Sequence, residues 1–165
     1  MAESSQYMRM LPAMSRWILQ GGADALAAAG RSWPCGLPVE ACRARSDGDL
    51  HALWLGPEEF LLLAPPDHEP EGLRSALGGM AHSLVDVGHR QVAFEVCGPD
   101  SGMLLNAACP LDLHPERFPV GMCTRTVFGK ADIVLWRTHP EAFHVEVWRS
   151  FLPYCTELLA EQVLD

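Results

Sequence analysis

Lysine is almost absent from this 165-residue sequence; Lys130 is the only one. Imine chemistry would need that amine buried with a lowered pKa, and Lys130 falls at a hairpin turn, so no Schiff-base enzyme is expected. No apolar run approaches the roughly 18–20 residues of a membrane span, and no basic stretch followed by an apolar one opens the chain. Neither a membrane span nor a signal peptide is expected. The six cysteines, at 35, 42, 97, 109, 123 and 155, include no C-x-x-C pair, which speaks against a zinc site and a disulfide scaffold. They read as reduced thiols filling core gaps, and a cytoplasmic location follows. The seven histidines form no H-x-x-x-H or H-x-H pattern, so no metal site is expected. Gly21-Gly22 and Gly78-Gly79 lack both the G-x-G-x-x-G spacing and a Walker lysine. Ser101 stands in Gly-Pro-Asp-Ser-Gly, which is not the nucleophile elbow of a serine hydrolase.

What the sequence does hold is apolar and acidic residues. Hydrophobic residues make up 48% and the mean hydropathy is +0.05, enough for a sizeable core with apolar surface left for a partner. Twelve Lys and Arg against 21 Asp and Glu give a net charge of -9, which repels phosphate backbones and anionic lipid. Nucleic acid and membrane are excluded as partners on that ground.

The chain is organised around residues 84–110, which read strand, corner, strand, helix. Val92, Phe94 and Val96 alternate with Ala93, Glu95 and Cys97, as in a strand with one buried face. Gly98 as N-cap, Pro99 and Asp100 open a helix with Met103, Leu104 and Ala108 inward, and Cys109-Pro110 ends it. Before this unit, residues 1–13 show no period and read as a flexible lead-in. Then come a strand over 15–20, a helix over 23–29 closed by Gly30, and a hairpin of 50–55 and 60–64. A helix over 70–80 carries Leu73, Leu77 and Met80, and a strand follows over 83–87. After Pro110, a Pro-rich connection leads to a three-strand meander over 122–128, 131–137 and 142–148. A last helix is capped by Ser150, with Leu152, Cys155, Leu159 and Val163 inward. Residues 15–87 thus read β-α-β-β-α-β and residues 91–164 β-α-β-β-β-α. The expected class is α+β, two ferredoxin-like-type subdomains (about 15–87 and 88–164) with mostly antiparallel sheets and helices on one face of each.

Asp86, His89, Arg90 and Gln91 crowd the corner. An Asp86–His89 pair can orient a general base, but no nucleophile, second base or further ligand lies at useful spacing, so a hydrogen-bonded structural corner is the simpler reading. Arg125, Arg137 and Arg149 recur on or just beyond the last three strands. An arginine fork there matches a carboxylate such as a folate tail; the plainer alternative is strand-face pairing with Asp132, Glu141 or Glu146. Trp54, Trp136 and Trp148 sit on strands and read as core, while one left partly exposed would anchor an interface. The interface or structural candidates are therefore Asp86, His89, Arg90, Gln91 and Trp148, with no catalytic residue and no metal ligand.

Several long words, in order, carry a resemblance. They are Ala52-Leu-Trp-Leu-Gly-Pro-Glu-Glu-Phe-Leu-Leu-Leu63, Ser83-Leu-Val-Asp-Val-Gly-His-Arg-Gln91, Cys109-Pro-Leu-Asp-Leu113, Phe118-Pro-Val-Gly-Met-Cys-Thr-Arg-Thr126 and Phe143-His-Val-Glu-Val-Trp-Arg-Ser-Phe151. From about Trp17 to Leu164 the chain resembles the gamma subunits of heterotetrameric sarcosine oxidases, with Gly88 where the family's word has serine. The resemblance implies one gamma-type domain over 14–165, similar in fold to the folate-binding aminomethyltransferases. It also implies a complex that oxidises sarcosine to glycine and hydrogen peroxide and hands a one-carbon unit to tetrahydrofolate. FAD, FMN, NAD, tetrahydrofolate and zinc are then expected in the alpha, beta and delta subunits. This chain would be a non-catalytic structural subunit that contacts alpha and holds no cofactor. The alternative is a stand-alone folate-binding, aminomethyltransferase-like protein.

Overall fold

The computed structural model describes residues 7–163. Its first strand is short, β1 (Met8–Met10). The chain then builds a compact unit over Ala13–His89. In order, this unit holds β2 (Ser15–Gly21), α1 (Ala23–Ser32), β3 (Ala44–Asp47), β4 (Leu50–Gly56), β5 (Glu59–Ala64), α2 (Glu71–Leu77) and β6 (His82–Asp86). Its sheet runs β3-β4-β5-β2-β6, every neighbour antiparallel. Strand β5 lies between β2 and β4, the split βαβ arrangement of ferredoxin-like folds, with β3 added at one edge.

The second unit combines residues 7–12 with those from Arg90 onward. It holds β7 (Gln91–Cys97), α3 (Ser101–Asn106), β8 (Cys123–Phe128), β9 (Ala131–His139), β10 (Ala142–Trp148), a 3-10 turn (Arg149–Phe151) and α4 (Leu152–Val163). Its sheet runs β1-β7-β10-β9-β8, again antiparallel throughout. The meander therefore docks through β10 onto one side of β7, and β1 closes the other side. The class is α+β, two five-stranded antiparallel sheets with few helices.

Each unit buries one sheet face under its helices. In the first, Trp17, Leu19, Phe60 and Leu62 meet Ala25, Ala29, Leu73 and Leu77. In the second, Phe94, Val96, Phe143, Val145 and Val147 meet Leu104, Leu105, Cys155 and Leu159. Burying one such Leu or Phe contributes about 1.5–3 kcal/mol, so these stripes dominate each unit's stability. On the opposite face of the first sheet Leu53, Leu61 and Leu63 are fully covered, and β5 is buried at every position from Phe60 to Ala64. That is why β5 reads as an unbroken apolar run.

Several expectations need correction. Part of the lead-in is a strand, since Met8, Arg9 and Met10 pair with Val96, Glu95 and Phe94; residues 1–6 lie outside the described residues. Helix α1 continues through Gly30 to Ser32, because Trp33, extended and donating its N–H to the Ala29 carbonyl, makes the stop instead. Met80 and Met103, expected inward, are 41% and 69% exposed. The reason is phase: α2 stops at Leu77 before a left-handed Gly78, and α3 starts only at Ser101, which turns Ser101, Leu104 and Leu105 inward. Gly98 is the corner before α3 (φ +110) rather than its cap, and Ser150 sits inside the 3-10 turn without capping α4.

Candidate interaction surface

The polar corner separates into parts with different jobs. Asp86, at the end of β6, accepts the Gly88 N–H on Oδ1 at 2.8 Å, and Val87 is buried with its N–H donated to the Arg16 carbonyl at 2.9 Å. His89 is exposed and ends the first unit; Arg90, also exposed, begins the second. The Arg90 guanidinium lies 5.1 Å from the centroid of the Trp148 ring, a stacking contact, and the Arg149 N–H donates to the Arg90 carbonyl at 2.7 Å. Gln91 stands directly across the ladder from Trp148, is buried, and holds its Oε1 without a hydrogen-bond partner. The corner is thus a turn brace followed by an arginine–tryptophan stack.

Gly88 lies outside the left-handed region, and an added Cβ would come 3.2 Å from Asp86 Oδ1, an exposed oxygen that need give by only a few tenths of an ångström while still accepting the Gly88 N–H. Gly88→Ser should therefore raise stability, by less than about 1 kcal/mol, because it restricts the unfolded chain. Urea titration of the two proteins checks this; a loss of stability would show that the corner cannot yield.

The three arginines do not act together. Arg125 is exposed on β8, opposite Val134, and Arg149 is exposed in the 3-10 turn. Arg137 is 4% exposed and points to the helix-bearing face of β9. Its Nη1 donates to the carbonyls of Leu113 at 3.1 Å and Phe118 at 2.9 Å, while Nε and Nη2 donate to that of Pro140. The guanidinium also lies 4.8 Å from the Phe143 ring centroid, and burial lowers its pKa from the ordinary value. The fork that would have met a carboxylate ligand instead ties down the Pro-rich connection. Asn106 does the same from α3, donating to the carbonyls of Leu111 and Cys109 and accepting the Leu113 N–H at 3.3 Å.

One buried polar pair was not legible beforehand. His144 Nε2 and Glu146 Oε1 are 2.7 Å apart on the face of β10 away from the helices, with the Trp136 ring 5.6 Å from that of His144. Glu146, expected as a solvated partner for the arginines, is 1% exposed. Alternation in Phe143-His-Val-Glu-Val147 does place both polar residues on one face, and only tertiary burial decides that this face is dry.

None of the six cysteines is in a disulfide; burial raises the Cys35 pKa and pushes that of Cys155 up to about 11, so these two thiols stay protonated near neutrality. Among the described residues no three His, Cys, Asp or Glu side chains come together to hold a metal. No helix among them is long and apolar enough to cross a membrane.

The profile of the sarcosine oxidase, gamma subunit family matches residues 21–163. The chain belongs to that family. Gamma-family relatives agree. The sarcosine oxidase gamma subunit of Corynebacterium sp. (strain P-1) is 31% identical over 146 residues, 87% of this chain and 72% of that one. The gamma subunit of an Arthrobacter species is 37% identical over 94 residues, 56% of this chain and 46% of that one. Among solved structures, a chain of the heterotetrameric sarcosine oxidase of Corynebacterium sp. U-96 superposes with a TM-score of 0.89 at 27% identity, covering 95% of this chain and 83% of that one. The aminomethyltransferase T of Bartonella henselae gives 0.65 at 16% identity, covering 95% of this chain and 45% of that one; this likeness is one of fold alone.

Proposed function

We propose that this gamma-family chain is the non-catalytic structural subunit of a cytoplasmic heterotetrameric sarcosine oxidase, docking directly on the alpha subunit alongside beta and delta. The complex demethylates sarcosine to glycine, with hydrogen peroxide formed and the one-carbon unit passed to tetrahydrofolate. The observation that carries this reading is the superposition over 95% of the chain on a member of a heterotetrameric sarcosine oxidase. The use of the polar residues supports it, because Asp86, Arg137 and Asn106 spend their groups on the chain's own backbone. On this reading FAD, FMN, NAD, tetrahydrofolate and zinc are held by the partner subunits, and this chain contributes fold and surface.

Co-expression with the other three subunits tests the assignment. The chain should elute with them in size-exclusion chromatography, and leaving it out should reduce recovery of active oxidase. A chain that stays monomeric and leaves oxidase activity unchanged would refute the reading. Micromolar binding of tetrahydrofolate to the isolated chain in calorimetry would instead favour the aminomethyltransferase-like alternative.

A further inference from the structure

Trp148 is 45% exposed, whereas Trp17, Trp33 and Trp136 are buried and Trp54 is half-buried. Three residues on, Phe151 is 38% exposed at the end of the 3-10 turn. Arg90 stacks on Trp148, and Arg149 follows it in sequence with its backbone bonded to that of Arg90. In a chain with a net charge of -9, two of the twelve Lys and Arg residues fall at this tryptophan, Arg90 stacked on its ring and Arg149 next to it in sequence.

We propose that Trp148, with Phe151 beside it and Arg90 and Arg149 at its rim, is the anchor that docks the chain onto a companion oxidase subunit whose matching face is an apolar pocket edged by carboxylates. The proposal rests on the reading of the chain as an oxidase subunit and names the face that reading leaves open. Tryptophan and arginine are the side chains that most often dominate binding energy at interfaces. The guanidinium stack holds the indole in one orientation before contact, so less freedom is lost on docking. Charge sets the sign of the partner: arginines at this patch favour a carboxylate-edged face, which the chain's net charge of -9 otherwise disfavours. The same net charge disfavours a nucleic acid stacking on the indole.

The test titrates the full-length chain onto the three-subunit remainder of the oxidase and reads affinity by interferometry, with thermal melting followed in parallel. Trp148→Ala should weaken binding at least about thirtyfold. The Arg90→Glu, Arg149→Glu double variant should slow association and remove its acceleration at low salt. Val39→Ala, at a position 94% exposed in the other unit, should bind like the wild type. If Trp148→Ala fails to fold, the charge-reversal variant decides, since both arginines are exposed. Wild-type affinity and melting in the variants would overturn the docking face alone, as would variants that lose only self-association. A wild-type chain that never joins the remainder would overturn this proposal together with the reading beneath it.

Discussion

Arg137→Ala is expected to destabilise the protein by about 3–5 kcal/mol, a large part of the roughly 5–15 kcal/mol that holds a domain of this kind together. One buried guanidinium donates to the carbonyls of Leu113, Phe118 and Pro140 and covers the Phe143 ring. Hydrogen bonds from a charged donor contribute about 1.5–3 kcal/mol each, and removing the donor strands carbonyls that the connection cannot re-pair by itself. Arg137→Met fills the volume but supplies no donor, so it should fare little better than alanine. Arg137→Lys keeps the charge as a compact ammonium, which cannot span carbonyls on two sides, and should recover less than half of the loss. Urea titration of the four proteins decides. An alanine variant within about 0.5 kcal/mol of wild type, the ordinary range for a neutral surface change, would mean that Arg137 merely decorates the loop.

Gly129→Ala should cost about 2–5 kcal/mol, for two separable reasons. Gly129 turns the β8–β9 hairpin at φ +59, where a side chain costs roughly 1–2 kcal/mol. Its missing Cβ is also the space occupied by α4: the new methyl would overlap the Tyr154 hydroxyl and stand 2.8 Å from Leu158 Cδ2. Overpacking of that kind adds about 1–3 kcal/mol. The contact is not easily relaxed, because the Tyr154 hydroxyl also accepts the Lys130 N–H at 3.1 Å and the Gly129 N–H is tied to the Ala108 carbonyl at 2.8 Å. Gly121 supplies the control: at φ +86 with nothing within 4 Å of its would-be Cβ, Gly121→Ala should show the backbone cost alone. Adding Tyr154→Phe to Gly129→Ala should return part of the loss in a double-mutant cycle. Equal costs at Gly129 and Gly121 would remove the packing half of the argument.

The sequence made some of this legible, for physical reasons that differ by residue. Unbroken runs such as Phe60–Ala64 and alternation such as Val92, Phe94, Val96 are local signals, so strands and their inward faces could be read directly. Asp86 lies two residues from the Gly88 amide it braces, a contact short enough to fall within one local stretch of sequence. Arg137 was not, because its carbonyl partners at Leu113 and Phe118 lie 24 and 19 residues away. Strand β1 is three residues long, too short for a period, and exists through pairing with β7. Met80 and Met103 failed through helix phase, which a stop at Leu77 and a start at Ser101 reset. The burial of His144 and Glu146 belongs to tertiary structure and leaves no local trace.

The place of β1 bears on how the molecule is made. Residues 8–10 leave the ribosome before Ala13–His89, yet their strand partner, Val96 back to Phe94, follows only after the whole of that stretch has been synthesised. The inserted stretch has all the segments of its own sheet in hand by then. The other sheet must recruit its leading edge from one side of that insertion and its meander from the other, so it closes last. An appendage fused just ahead of Met8 would weigh on that late closure and not on the earlier one.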